Sequence, residues 1–208
     1  MANKSKGNGI ENLFESYHLR ITFEDELLAT CGTNDYFIAS IAKADEKEDI
    51  TRGAEVYVEE EEGERPMTVF PRDKEGNPYI FDYLIKGFLK NAAKNFNTVP
   101  DQKVSSYKSK IDGGVFVEPR HLILNIPEGK EIGICARPLR ASTMQGERVT
   151  IAKSESVPEG TVIECTIKVM NPDIKKKLFD YLDYGYYNGL GQWHNAGKGK
   201  FSYEIIED

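Results

Sequence analysis

The chain of 208 residues has little cysteine, little histidine and a single tryptophan. Cys31, Cys135 and Cys165 lie far apart and form no C-x-x-C pair, which argues against a thiolate zinc site and a disulfide framework. No apolar run approaches the roughly 20 residues a membrane helix needs. The N-terminus, M-A-N-K-S-K-G-N-G, lacks the hydrophobic stretch of a secretory signal. These absences point to the cytoplasm, with residues 1–12 as a solvated tail and 13–208 as the folded part. A cationic excess is missing too: 27 Lys and Arg against 34 Asp and Glu leave a net charge of −7. That weighs against nucleic-acid binding, which is driven by cationic groups. The distribution softens the objection, because acid is concentrated in Glu59–Glu62 and Glu64, while stretches 86–110 and 137–153 are rich in Lys and Arg.

What is present reads as an α+β domain. Residues 17–23, Y-H-L-R-I-T-F, alternate strictly, with Tyr17, Leu19, Ile21 and Phe23 on one face and His18, Arg20 and Thr22 on the other. A helix is expected at 35–45, and strands at 54–59 and 67–71 around the acidic loop. Residues 79–96 predict the clearest helix, with an apolar stripe of Ile80, Leu84, Phe88 and Ala92 widened by Ile85, Leu89 and Phe96. Lys86, Lys90 and Lys94 line one of its faces. Gly87 in mid-helix costs about 1 kcal/mol relative to Ala and suggests close approach by another backbone. Residues 97–110 read as a loop. Strands follow over 113–126, broken at Glu118-Pro119, and over 130–136, with a hairpin tip at Gln145-Gly146.

The last fifty residues carry the most pattern. Residues 161–169 alternate, with Ile163, Cys165, Ile167 and Val169 inward. Asn171 caps a helix with Pro172 at its first position. That helix is expected to run to about Tyr187, with Ile174, Leu178, Tyr181, Leu182 and Gly185 inward. The glycine-rich G-L-G-Q-W-H-N-A-G-K-G-K follows over 189–200, and F-S-Y-E-I-I closes the chain as a strand.

The segments S-V-P-E-G-T-V-I-E-C-T-I-K-V and L-G-Q-W-H-N-A-G-K-G-K-F-S-Y-E-I resemble the C-terminal half of the RAMP superfamily, the repeat-processing and crRNA-binding backbone proteins of CRISPR systems. P-R-D-K-E-G-N-P-Y-I-F-D-Y-L-I-K-G-F-L-K also looks like that family's helix start, with Lys86-Gly87 and Lys90 in the matching places. Two features depart from the family pattern: Phe81-Asp82 replaces the serine of the helix start, and the glycine loop is stretched around Trp193-His194. The resemblance implies a ferredoxin-like (RRM-type) module, an antiparallel sheet with helices packed on one face. The chain would hold one such domain, or two ferredoxin-like halves meeting near 97–112. A divergent, stand-alone relative from a phage or mobile element fits the departures.

The candidate chemistry follows from these parts. Gly189, Gly191, Gly197 and Gly199 would let a sugar-phosphate backbone approach main-chain amides. Lys198 and Lys200 would supply countercharge, and Trp193 a face for a base. Lys86, Lys90, Arg137, Arg140 and Arg148 would extend the track, since guanidinium forks hold phosphate by two hydrogen bonds. The loop lacks G-K-[ST] and follows a helix, so it is neither a Walker motif nor a dinucleotide fingerprint, and no cofactor is expected. His18 and His194 are candidates for metal-independent RNA cleavage, which needs a base at the 2′-hydroxyl and an acid at the leaving oxygen. Asp25 and Asp35 match only by position the acidic residue with which some family members cut target RNA. The leading reading is non-catalytic binding of single-stranded RNA. An endoribonuclease using His18 or His194 comes second. A mobile-element protein that binds or inhibits a CRISPR-type complex comes third. A protein partner or self-association is compatible with each; a membrane is not.

Overall fold

The computed structural model describes residues 11–32, 67–143 and 146–206, and side chains other than those of 11 and 139–150. The expected helix at 35–45, the strand at 54–59, Asp35, the acidic run and Gln145 lie outside the described residues, as do the side chains of Arg140 and Arg148. In chain order the elements are β1 (Glu15–Phe23), β2 (Leu27–Leu28), β3 (Cys31–Gly32), β4 (Thr68–Val69), β5 (Tyr79–Phe81), α1 (Asp82–Phe96), α2 (Tyr107–Gly114), β6 (Val115–Glu118), β7 (His121–Ile123), β8 (Gly133–Thr143), β9 (Gly146–Val157), β10 (Val162–Val169), α3 (Pro172–Lys175), α4 (Leu178–Asp183) and β11 (Phe201–Ile205).

Four strands form the central sheet in the order β11-β1-β10-β6, every neighbour antiparallel. With α1 between β1 and β6, and α3–α4 between β10 and β11, this is the βαββαβ order of a ferredoxin-like module. The strands come from both sides of residues 97–112 and share one sheet. Alternation fixes its faces: Leu19, Ile21, Phe23, Ile163, Cys165, Ile167 and Val169 are buried, while Arg20 and Glu164 pair across the other face at 2.8 Å. The helices supply the opposing apolar layer through Ile85, Phe88, Leu89, Ala92, Ile174, Leu178, Tyr181 and Leu182, all buried.

Three local differences from expectation have physical causes. First, Tyr79–Phe81 is a strand paired with His121–Ile123, and the helix begins only at Asp82. Its buried face is therefore Ile85, Phe88, Leu89, Ala92 and Ala93, and Leu84 is only partly buried. Gly87 lies on the outer side, where an added Cβ would meet nothing within 4 Å, so no backbone approaches it. Gly185 is the close contact instead, because a Cβ there would sit 2.2 Å from the Phe201 ring. Second, the polar stretch 97–110 runs into α2, anchored by the buried Ile111. Third, the helix after Asn171 is interrupted. Asn171 accepts from the amides of Asp173 and Ile174 as expected, but the helix gives way to a turn at Lys176-Lys177, where Lys177 stretches to φ −110°, and the chain restarts as α4.

Two insertions decorate the module. Residues 24–81 contribute β2 to β5, and residues 119–161 contribute β7 and the long hairpin β8–β9, registered from Gly133↔Ser156 to Thr143↔Gly146. The root of the hairpin joins β2, β3 and β4 in a second sheet: β9 pairs with β2 at Val157 and Ser156, and with β4 at Ser154. Thus the hairpin is fastened at its base beside the loop that precedes β11.

Candidate nucleic-acid interface

The glycine loop is closed on itself and on β2. Leu190 N–H donates to Gly199 O, and Gly199 N–H donates to Glu26 O, each at 2.8 Å. A Cβ at Gly189 would lie 2.1 Å from Lys198 O, and one at Gly199 2.1 Å from Leu190 O. Gly191 faces Leu27 and Leu28 in the same way, at 3.0 and 3.2 Å. These glycines exist because two backbone segments touch there, a use of the missing side chain that residue spacing alone does not distinguish from a ligand cradle. The amides of Ala196, Gly197 and Lys198 donate to Trp193 O or His194 O. The anticipated row of unhindered amides is therefore absent among the ones named; Gly197 alone of the four has open space around it, apart from the Lys200 side chain.

Lys198 is a structural clamp. Its ammonium bridges Glu26 at 2.8 Å and Asp25 at 3.1 Å, tying the loop to the end of β1. The hydrogen bond to Glu26, followed by that to Asp25, holds its pKa above the ordinary lysine value. Asp25 is thereby engaged in holding the loop. Lys200 folds toward Gly197 and is bridged by no carboxylate among the described residues.

What the loop does present is Trp193. Its backbone is left-handed, φ +58°, a conformation that costs an ordinary residue about 1–2 kcal/mol. The residue stays 39% exposed. The Arg137 guanidinium stands over the indole, 5.1 Å from its centroid. Arg137 itself is buried at the hairpin root and donates to Ser154 Oγ at 3.1 Å and Gln192 Oε1 at 2.6 Å. Ser154 Oγ lies 2.8 Å from Thr68 Oγ1. Strand β8, strand β9, β4 and the glycine loop thus converge on one guanidinium, whose orientation is fixed before any ligand arrives. Gln192 and Ser154 were not singled out by sequence reasoning. The only signal was Gln192 standing beside the lone tryptophan.

The remaining candidates do not join this site. Lys86 donates to Asp112 O at 2.8 Å and lies over Phe116; Lys90 pairs with the Asp112 carboxylate at 3.0 Å. Both hold α1 to α2. His18 Nδ1 is 3.0 Å from Thr166 Oγ1, on the sheet face away from the helices. His194 Nδ1 donates to Gly191 O at 2.9 Å, which leaves Nε2 as its other ring nitrogen. The two histidines do not share a site. The loop docks where Phe23 pairs with Phe201, five residues along β1 from His18, or about 16 Å at strand rise. Among the described residues no cluster of three His, Cys, Asp or Glu is placed to hold a metal, and no helix among them is long and apolar enough to cross a membrane.

No family model matches the chain, and no curated protein matches it in sequence. The comparison with solved structures gives a fold. A chain of the Type III-B Cmr-beta complex bound to cognate target RNA matches with a TM-score of 0.55 at 12% identity, over 93% of this chain. This chain spans 61% of that one. A chain of a Type IV-B CRISPR complex matches with a TM-score of 0.46, also at 12% identity, over 92% of this chain and 90% of its own. Both are chains of CRISPR complexes, and the likeness to the Cmr-beta chain places this protein in an α+β fold of ferredoxin-like type, as the terminal motifs led us to expect.

Proposed function

We propose that this protein binds single-stranded RNA without cleaving it, as a RAMP-like module. The observation that carries the reading is the half-exposed Trp193 beneath a guanidinium locked by Ser154 and Gln192. A base can stack on the open indole face, while the buried Arg137 holds the indole in place. Support comes from the fold shared with a chain of an RNA-bound assembly. That likeness also makes a protein partner a reasonable companion to the RNA. The distance between His18 and His194 along β1 counts against the two acting as one acid–base pair and so favours binding over cleavage.

The sole tryptophan is its own reporter. Titrating a 12-nucleotide single-stranded RNA should quench Trp193 emission. Trp193→Leu should weaken binding about 5- to 150-fold, the equivalent of about 1–3 kcal/mol for one base–aromatic stack. Arg137→Gln should weaken binding as well. Unchanged affinity in Trp193→Leu, with the fold intact by circular dichroism, would refute this site.

A further inference from the structure

A second group of π faces gathers around the two-stranded sheet of β5 and β7. Tyr79 and Phe81 of β5, Tyr83 in the first turn of α1, and His121 of β7 form one continuous aromatic cluster. Tyr79 and His121 stack at 4.2 Å, with planes 25° apart. Phe81 and Tyr83 stack at 5.2 Å, with planes 15° apart. Phe81 meets Tyr79 and His121 edge-on. Arg120 caps the cluster, its guanidinium 5.4 Å from the Phe81 centroid and 5.6 Å from that of Tyr83. Arg120 also pairs with Asp82 at 2.6 Å, but the arginine side chain is 63% exposed and the aspartate only 23%. The outward member of the pair is the cation. Tyr83 is 47% exposed and His121 is exposed too.

The core does not require this arrangement: α1 buries Ile85, Phe88 and Leu89, while Tyr83 and His121 turn their rings to the surface. We infer that the Tyr83–His121–Arg120 cluster is a second stacking station for a base of single-stranded RNA, the guanidinium facing its phosphate. Planar faces under an exposed cation suit a planar, anionic ligand. The station lies beside the first in the fold. Tyr79 N–H donates to Pro71 O just after β4, Arg72 pairs with Glu155 of β9 at 2.9 Å, and Glu155 adjoins Ser154, the hydroxyl that receives Arg137. A strand of RNA leaving Trp193 would cross this sheet to reach Tyr83. The inference takes its ligand class from the RNA-binding reading, yet it can fail separately.

The test is photocrosslinking of a 12-nucleotide RNA bearing 5-iodouridine, with adducts mapped by mass spectrometry, alongside binding of the same RNA and of uridine monophosphate. Adducts at Tyr83 or His121 as well as Trp193 are expected. Tyr83→Leu and Arg120→Gln should each lower affinity for the 12-mer about 5-fold or more, and Trp193 quenching by uridine monophosphate should be unchanged in both. Adducts confined to the Trp193 loop, with full 12-mer affinity in both variants, would overturn the second station and leave the first intact. Full RNA affinity with altered self-association in Tyr83→Leu would assign the cluster to a protein contact instead, which also overturns the inference. No binding of RNA by the wild-type chain would remove both readings together.

Discussion

Four glycines in one loop offer a graded test of what they are for. Alanine at Gly197 adds a Cβ whose nearest neighbour is the far end of Lys200, 3.5 Å away, so its cost is the left-handed conformation at φ +93°, about 1–2 kcal/mol. Alanine at Gly199 carries that same penalty at φ +67° and adds a Cβ 2.1 Å from Leu190 O. Relief requires the two segments to part, which disrupts Leu190 N–H to Gly199 O and Gly199 N–H to Glu26 O. Each of those hydrogen bonds contributes about 1 kcal/mol net, so Gly199→Ala should cost about 3–4 kcal/mol. Gly189 separates the two effects. Its φ is not in the left-handed range, yet its Cβ would fall 2.1 Å from Lys198 O, so Gly189→Ala reports the clash without the strain. Urea unfolding at constant m-value gives all three numbers. Circular dichroism melts should show Tm losses of about 2–4 °C per kcal/mol for a chain of this size. The expected order is a small loss for Gly197→Ala and large losses for Gly199→Ala and Gly189→Ala. Equal, small losses at all three would refute the packing account and return the glycines to a ligand cradle.

Thiol accessibility should follow burial. Burial pushes the Cys165 thiol up to about 12 and also raises that of Cys31, so labelling at pH 8 should modify Cys135 first, then Cys31, and Cys165 only after unfolding; rapid native labelling of Cys165 would contradict the buried face of β10. The salt dependence of RNA binding should be shallow. If Lys200 and Arg120 meet two phosphates at about 0.7 per contact for a single strand, affinity should fall only about 7-fold between 50 and 200 mM salt; a loss above 1000-fold would mean a cationic surface other than these stations.

The parts of the fold that could be read from sequence are those fixed by local periodicity. β1 and β10 show their buried faces by alternation, and Asn171-Pro172 marks its helix start by cap chemistry; β11 alternates in sequence but buries only Phe201 fully, with Ile205 exposed. The parts that could not be read depend on contacts between distant segments. Tyr79–Phe81 continues the helical pattern of α1, but pairing with His121–Ile123 makes it a strand. Gly87 and Gly185 are alike in sequence, each set in a helical pattern, yet only Gly185 has an aromatic ring against it. The site divides the same way. Trp193 stood out as the only residue of its type, and Arg137 as one of a cluster. That one arginine is buried against Ser154 and Gln192 depends on the hairpin root meeting the loop before β11, a contact between residues 55 apart.

The negative net charge also takes on a different meaning once the partners are known. Several of the cations that suggested a basic track are engaged with the protein itself: Lys198 with Asp25 and Glu26, Lys90 with Asp112, Lys86 with a backbone carbonyl. On the open face of the central sheet Arg20 pairs with Glu164 and Lys168 with Glu118, so that face offers no net positive field. Long-range attraction is therefore a weak basis for RNA binding here. Short-range stacking is a stronger one, because a π face beneath a fixed guanidinium works without a surrounding excess of positive charge. The described structure contains that combination at Trp193 with Arg137 and again at Tyr83 with Arg120, in both cases where an insertion meets the ferredoxin-like module.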